Sequence, residues 1–259
     1  MKTVIITGGS SGIGLATAQL FAQRGYQVYE LSRHGQTTAA VRHLDCDVTQ
    51  PDQCQQAIDQ IYQEAKQIDV VVSNAGMGIS GAIEYTDIAD VHRQFDVNYF
   101  GALHITQAVL PYLRQQRHGH IIYVSSVMAV FSIPYQSFYA SSKAAINMLA
   151  SALRNEVRSF GICVSCIQPG DVQTAFTRDR KKELRGADVY PRMQASVAQM
   201  EHDEQHGMAP LAVARVIYRH ANTSHPALFA TVGWSYRLLV WLQRVLPSRL
   251  INYIIYYMY

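Results

Sequence analysis

Cysteine is scarce in this 259-residue chain. There are four, at positions 46, 54, 163 and 166, and neither their number nor their spacing suits a secreted disulfide framework, so reduced thiols are expected. Charge is also thin. Charged residues make up 16% of the sequence and the formal net charge is +3, too little for a nucleic-acid partner to be argued from charge. Acidic residues stop altogether at Glu204, which leaves Arg215, Arg219, Arg237, Arg244 and Arg249 unopposed in the last stretch of chain. No uninterrupted apolar run approaches the roughly 20 residues a spanning helix needs: Trp234–Tyr259, the richest segment, is broken by Arg237, Arg244, Pro247 and Arg249. Met1–Thr7 offers one Lys and a very short apolar run before a glycine turn, too short for the apolar core of a secretory signal, and a cytoplasmic protein is expected. Internal repeats, low-complexity tracts and linkers are all missing.

What is present is a chain 49% hydrophobic, long enough to bury one large core as a single domain over residues 1–259. Val4–Thr7, Gln27–Leu31, Val41–Leu44, Val70–Ser73, His120–Ser125 and Ile162–Gln168 are short, nearly continuous apolar runs, as strands buried on both faces should be. Helix-length segments lie between them, clearest at Gly14–Arg24, Pro51–Lys66, Ile88–Gln116 and Ser137–Phe160. The alternation predicts an α/β fold with a Rossmann-type doubly wound parallel sheet. The connection Ser32–Ala40 is so short that its helix is expected to be a stub or a loop.

Thr7-Gly8-Gly9-Ser10-Ser11-Gly12-Ile13-Gly14 follows the first strand and opens the first helix, the context that gives a glycine pattern meaning. Gly8 permits a tight turn, Gly12 and Gly14 let backbone and helix approach closely, and the helix N-terminus presents N–H groups to a pyrophosphate. Past the second strand, an acid would accept from a ribose 2′-hydroxyl, whereas a cation would pair with a 2′-phosphate. Ser32-Arg33 stands there, which points to NADP(H) over NAD(H), with Ser10 or Ser11 as a second phosphate contact. Glu30 is the nearest carboxylate and would reverse that preference if it faced the ribose. Farther along, Tyr139 and Lys143 lie one helical turn apart, close enough for the ammonium to favour the phenolate and bring a phenol of ordinary pKa about 10 towards useful acid/base chemistry.

The spacing TGxxxGxG, with Asn74-Ala75-Gly76 after the fourth strand, Asp47-Val48 after the third, Tyr139-xxx-Lys143 and Pro169-Gly170-Asp171-Val172-Gln173-Thr174 after the sixth, resembles the classical short-chain dehydrogenase/reductase family from Thr3 to about Thr174. The resemblance implies interconversion of a carbonyl and a secondary alcohol. It implies that Asp47 holds the adenine amino group, that Lys143 binds the nicotinamide ribose, and that Pro169, Gly170, Val172 and Thr174 meet the carboxamide. Ser126 matches a serine that hydrogen-bonds the substrate carbonyl, and Asn98 one that props a relay water. Together Asn98, Ser126, Tyr139 and Lys143 complete a catalytic tetrad. A catalytically silent cofactor-binding sensor or scaffold of the same fold is the alternative.

Three other patterns are weaker. Cys163-Val164-Ser165-Cys166 spells CxxC, yet on a strand residues three apart face opposite ways, which favours core packing. His202 and His206 are four apart but have no third ligand, so no metal is expected. The basic run Arg178, Arg180, Lys181, Lys182 and Arg185 falls within about 175–207, where the family places a substrate lid; a solvated face is the plain interpretation, with Arg178 the first choice if an anionic group is recognised. The Trp234–Tyr259 tail is expected to be helical, closing an apolar-substrate pocket or a subunit interface, with peripheral contact to a membrane as the alternative. Long apolar helices at 88–116 and 137–160 are expected to pair with a second copy, as a homodimer or a homotetramer containing it.

Overall fold

The computed structural model describes residues 1–259. In chain order the elements are β1 (Thr3–Thr7), α1 (Gly12–Gln23), β2 (Gln27–Ser32), β3 (Arg42–Asp45), α2 (Pro51–Ala65), β4 (Val70–Ser73), β5 (Ile79–Ser80), α3 (Ile88–Phe95), α4 (Gly101–Gln116), β6 (Gly119–Val124), α5 (Ser137–Glu156), β7 (Ile162–Gln168), α6 (Phe176–Asp179), β8 (Lys181–Lys182), α7 (Met193–Gln205), α8 (Pro210–Ala221), β9 (Phe229–Thr231), α9 (Trp234–Val245) and α10 (Ser248–Met258).

Seven strands form one sheet in the order β3-β2-β1-β4-β6-β7-β9, and every pairing is parallel. Their continuous β-branched runs follow from this: with helices on both faces, the inner strands β1 and β4 are buried throughout, whereas the edge strand β3 is partly exposed. Alternation along β1 divides the core. Val4 and Ile6 pack with Val28, Val70 and Val72 under α1 and α8, while Ile5 packs with Val71 and Ile121 under α2, α4 and α5. α2 shows the matching helical period, burying Cys54, Ala57, Ile58 and Ile61 behind Pro51 in its first turn.

The expected strands and helices are present with small shifts. The segment between β2 and β3 forms no helix, as its length requires. The expected helix 88–116 is broken into α3, a π turn over Asp96–Phe100, and α4, and the one expected to reach Phe160 ends at Glu156 before a short 3₁₀ turn. The seventh strand, β9, was not foreseen: three residues among Pro226, Gly233 and polar neighbours carry too little pattern. The chain leaves β1 towards β3, then returns to β4 on the other side of β1. That reversal opens a crevice at the carboxyl ends of β1 and β4, where ligands of open α/β sheets sit.

Candidate active site

At the crevice, Thr7 and Asn74 knit two strand ends together. The Thr7 hydroxyl accepts from the Asn74 and Ala75 amides, both at 3.0 Å, and Asn74 Nδ2 donates to the carbonyls of Thr7 at 3.0 Å and Gly8 at 3.1 Å. Gly8 and Gly12 have φ of +64° and +53°, so this loop takes a left-handed course that other residues disfavour. A Cβ on Gly14 would stand 2.2 Å from the Gly8 carbonyl oxygen, so only glycine lets the helix rest on the loop. Ser11 caps α1 without a side-chain bond, the first turn has no acid, and Ser10 and Ser11 are exposed. Ile13 faces the core beneath. The α1 N-terminus therefore keeps its positive end free for an anion, and these residues fit a dinucleotide pyrophosphate.

Beside it opens a cavity of about 870 Å³ lined by Gly9, Ser10, Arg33, His34, Gly35 and others. Arg33 is exposed and enters no ion pair, and the Ser32 hydroxyl donates to the His34 carbonyl at 3.3 Å. Glu30 also borders the cavity, but its carboxylate is 2.5 Å from His43 Nδ1, and His43 Nε2 meets Asp45 at 2.9 Å. Burial disfavours a charge on His43, yet Asp45 and Glu30 outweigh it and raise its pKa above the usual 6.5. Asp47 engages a local turn, its Oδ1 accepting from the Thr49 amide at 2.9 Å and hydroxyl at 2.8 Å. Val48 is buried against Gly101, and its carbonyl lies 2.9 Å from His104 Nδ1.

The second half of the crevice gathers on β6, α5 and the π turn. Asn98 is buried, donating to the Met77 carbonyl and the Ser142 hydroxyl, both at 3.0 Å, and accepting from the Met77 amide at 2.8 Å. π turns are rare and concentrate at functional sites. Asn98 Oδ1 and Lys143 Nζ lie 3.3 and 3.6 Å from where a Cβ on Gly76 would be, so Gly76 is the floor on which they converge. Lys143 Nζ donates to the Val124 carbonyl at 2.9 Å, and burial lowers its pKa to about 8. Ser126 turns the chain after β6, its hydroxyl accepting from the Met128 amide at 3.1 Å, and the Pro169 carbonyl accepts from Val127 at 2.9 Å. Thr174 lies against Gly12, and Val172 is buried and bridges to Met208.

One electrostatic expectation is corrected. Lys143 was expected to pull the Tyr139 phenol down, but its Nζ sits 5.8 Å from the ring centroid, and the phenol is pushed up to about 12. Burial is the main cause and Glu204 adds to it, while Arg180 and the Ser126 hydroxyl oppose it. A second correction concerns the basic run. Arg178 is exposed and pairs only with its neighbour Asp179, whereas Arg180 is buried in an ion pair with Glu204. Nothing in the sequence marked Arg180 among five cations, or Glu204 as its partner.

Two more residues escaped the sequence. Phe176 lies 5.6 Å from Tyr139, centroid to centroid. Tyr236 of α9 covers Gly170, where a Cβ would sit 2.3 Å from its ring, and its hydroxyl donates to Asp171 at 2.5 Å. The CxxC sulfurs are free, Cys166 buried and Cys163 facing the Ser224 carbonyl. Cys46 and Cys54, not expected to be neighbours, lie 4.0 Å apart as free thiols. His202 and His206 stack on each other, and no three side chains are placed so that they could hold a metal ion.

The model of the short chain dehydrogenase family matches residues 2–185. The chain belongs to that family. It is 39% identical over 239 residues to a 3-ketodihydrosphingosine reductase of Bacteroides thetaiotaomicron, covering 90% of this chain and 88% of that one. It is 31% identical to bovine retinol dehydrogenase 8, covering 95% and 86%. A short-chain dehydrogenase from Streptomyces avermitilis superposes with a TM-score of 0.82 at 25% identity, covering 92% and 90%. The chain is thus an oxidoreductase acting between alcohol and ketone, with a Rossmann-type fold that binds NAD(P), and the silent-scaffold alternative is set aside.

Asn98 is a structural tie as well as a member of the cluster. Asn98→Ala strands the Met77 backbone and is expected to cost about 1–3 kcal/mol in urea unfolding, where a loss under about 0.5 kcal/mol would show that the tie is not needed.

Proposed function

We propose that the protein is an NADP(H)-dependent reductase or dehydrogenase of an apolar ketone–alcohol pair, with Tyr139 as proton donor and acceptor. The observation that carries this is the convergence of Tyr139, Lys143, Ser126 and Asn98 beside the glycine loop. The nicotinamide, when bound, supplies or takes the hydride. Tyr139 passes its phenolic proton to the carbonyl oxygen during reduction and takes it back in oxidation, while the Ser126 hydroxyl donates to the oxygen as charge develops there. Lys143 leaves the Val124 carbonyl to hold the ribose hydroxyls, and its ammonium then lowers the phenol from its resting value. Gly8, Ser10, Ser11, Gly12, Ile13 and Gly14 cradle the pyrophosphate. Asp47, Val48, Asn74, Ala75 and Gly76 flank the adenosine, and Pro169, Gly170, Val172 and Thr174 meet the carboxamide.

An apolar substrate is supported by a second cavity of about 450 Å³, walled by Ala82, Ile83, Ile133, Pro134, Tyr190 and, from α10, Ile255 and Tyr256. The names of the relatives, a ketodihydrosphingosine reductase and a retinol dehydrogenase, agree with it. The segment 175–207 acts as the lid.

Tyr139→Phe is expected to bind NADPH normally and lose at least about a hundredfold in kcat, the usual contribution of acid/base catalysis; more than about a tenth of wild-type rate would remove Tyr139 from that role. Because reduction uses the phenol and oxidation the phenolate, the oxidation rate should rise with pH through neutrality while the reduction rate stays flat. Parallel profiles in the two directions would contradict this assignment.

NADP(H) preference rests on the unpaired Arg33 at the cavity and on Glu30 being engaged by His43. Arg33→Ala should raise the NADPH KM at least about tenfold with little change for NADH, since a charge-assisted phosphate contact contributes roughly 1.5–3 kcal/mol. A wild-type preference for NADH overturns it.

The tail gives the protein its place. No helix is long and apolar enough to cross a membrane, but α9 and α10 expose Trp234, Trp241, Tyr253, Tyr256 and Tyr257 beside Arg237, Arg244 and Arg249. This composition suits peripheral contact of a cytoplasmic protein with an anionic lipid surface. α4 and α5, with Phe100 just before α4 and Met148 on α5 exposed, form the homodimer contact, alone or within a homotetramer. Full-length protein with Trp241→Glu, Tyr253→Glu and Tyr257→Glu should stay dimeric by light scattering and lose flotation with anionic vesicles; flotation unchanged rejects the lipid contact, and a monomeric variant assigns the tail to the dimer instead.

A further inference from the structure

Around Arg180 the interior holds polar atoms without partners, and they occur together. The Arg180 side chain is 1% exposed, and Nη2 donates to Glu204 Oε1, yet Nε and Nη1 have no partner. The other oxygen of Glu204 accepts from the Thr177 hydroxyl at 2.6 Å. The Phe176 ring lies 5.3 Å from the guanidinium carbon, and a ring offers no lone pair to the free N–H groups.

The neighbours repeat the pattern. Gln136, 1% exposed, donates through Nε2 to Met200 Sδ at 2.8 Å, and its Oε1 has no partner. The hydroxyls of Ser80 and Ser196 are likewise buried and unpartnered. Ser196, Met200 and Glu204 are four apart, one inward stripe of α7, so Gln136 and Arg180 meet the same stripe about 6 Å apart along it. Ser80 lies on β5, which pairs with β8 immediately after Arg180, and the next residue, Gly81, donates to the carbonyl of Tyr135, the residue before Gln136, at 2.9 Å. The group adjoins the reacting centre, because the Phe176 ring lies 5.6 Å from the Tyr139 ring, tilted by 57°, and 5.3 Å from the Arg180 guanidinium carbon.

A buried polar atom left unpaired costs about 1–3 kcal/mol, and native interiors contain few, so several at one place call for a polar guest. Its charge follows from the neighbours. Arg180 is already neutralised by Glu204, and Asp171 adds a further carboxylate near Tyr139, so an anionic guest would meet uncompensated like charge. A hydroxyl accepts from a guanidinium and donates to an amide oxygen without adding charge.

We propose that Arg180 and Gln136, with Ser80 and Ser196, form a seat for a neutral hydroxyl carried next to the reacting carbonyl, so that hydroxyketones are preferred over plain ketones. This deepens the carbonyl-reductase reading and rests on it for the placing of the carbonyl. Arg180 and Gln136 are substrate-positioning residues here, not proton carriers.

The test compares a long-chain methyl ketone, the hydroxymethyl ketone of the same length and the corresponding keto acid. Each is titrated calorimetrically into protein loaded with the oxidised dinucleotide, where no reduction can occur, and then assayed with the reduced form. The hydroxymethyl ketone should bind at least about tenfold tighter than the methyl ketone, as one charge-assisted hydrogen bond would give. Arg180→Lys, which keeps the charge beside Glu204 but removes the free N–H edges, and Gln136→Met, which keeps the volume, should each bring that ratio below about threefold. Equal binding of the two ketones by wild type, a ratio unchanged in both variants, or tightest binding of the keto acid overturns the seat. A preference seen in binding with no reduction of either ketone would uphold the seat and reject the reductase reading.

Discussion

Thr7 and Asn74 tie the carboxyl ends of β1 and β4 across the one point where the sheet reverses direction, and the rest of the crevice is referenced to that tie. The Thr7 hydroxyl holds two amides of the Asn74 segment, and the Asn74 amide holds two carbonyls of the glycine loop. The loop is thereby fixed in its left-handed course, α1 can rest on Gly14, and the anion-attracting helix end is aimed into the crevice. From the same segment, Met77 reaches Asn98 and Gly76 makes room for Asn98 and Lys143, so the cofactor side and the chemical side share one scaffold. Such a site is preorganised by hydrogen bonds between short side chains and the backbone, which hold geometry more tightly than long side chains could.

The substrate side is held differently. Its walls are short elements of low regularity: the two-residue pairing of β5 with β8, the Arg180–Glu204 ion pair, and Tyr236 reaching from α9 onto Gly170 and Asp171. Burial of the Tyr139 phenol keeps it protonated at rest, with Glu204 adding to the effect and Arg180 opposing it. A resting phenol at about 12 is suited to donate a proton in reduction, and a cation drawn closer would be needed for the reverse direction.

How much could be read from sequence follows from this division. The sheet was legible because strands buried on both faces write themselves as continuous apolar runs, and the glycine loop because only glycine fits where a Cβ would lie 2.2 Å from a carbonyl. β9 was not legible, since its three residues carry no period. The π turn at Asn98 was hidden inside an otherwise regular helical pattern. Arg180 was indistinguishable from Arg178 by composition; one is buried against Glu204 beside the short β5–β8 pairing and the other is exposed. The resting charge state of Tyr139 was misjudged because spacing along a helix gives proximity to Lys143 but not the burial that dominates the phenol.

The central claim, that this crevice passes hydride between a nicotinamide and a carbonyl carbon, is tested most directly by isotope transfer. The protein is incubated with a long-chain ketone and NADPH stereospecifically deuterated on either face of the transferable carbon, and the alcohol is analysed by mass spectrometry. One deuterium on the carbinol carbon, from one face of the cofactor only, is the predicted result. Alcohol formed without deuterium from either labelled cofactor, or no alcohol from any ketone with NADPH or NADH, would contradict it.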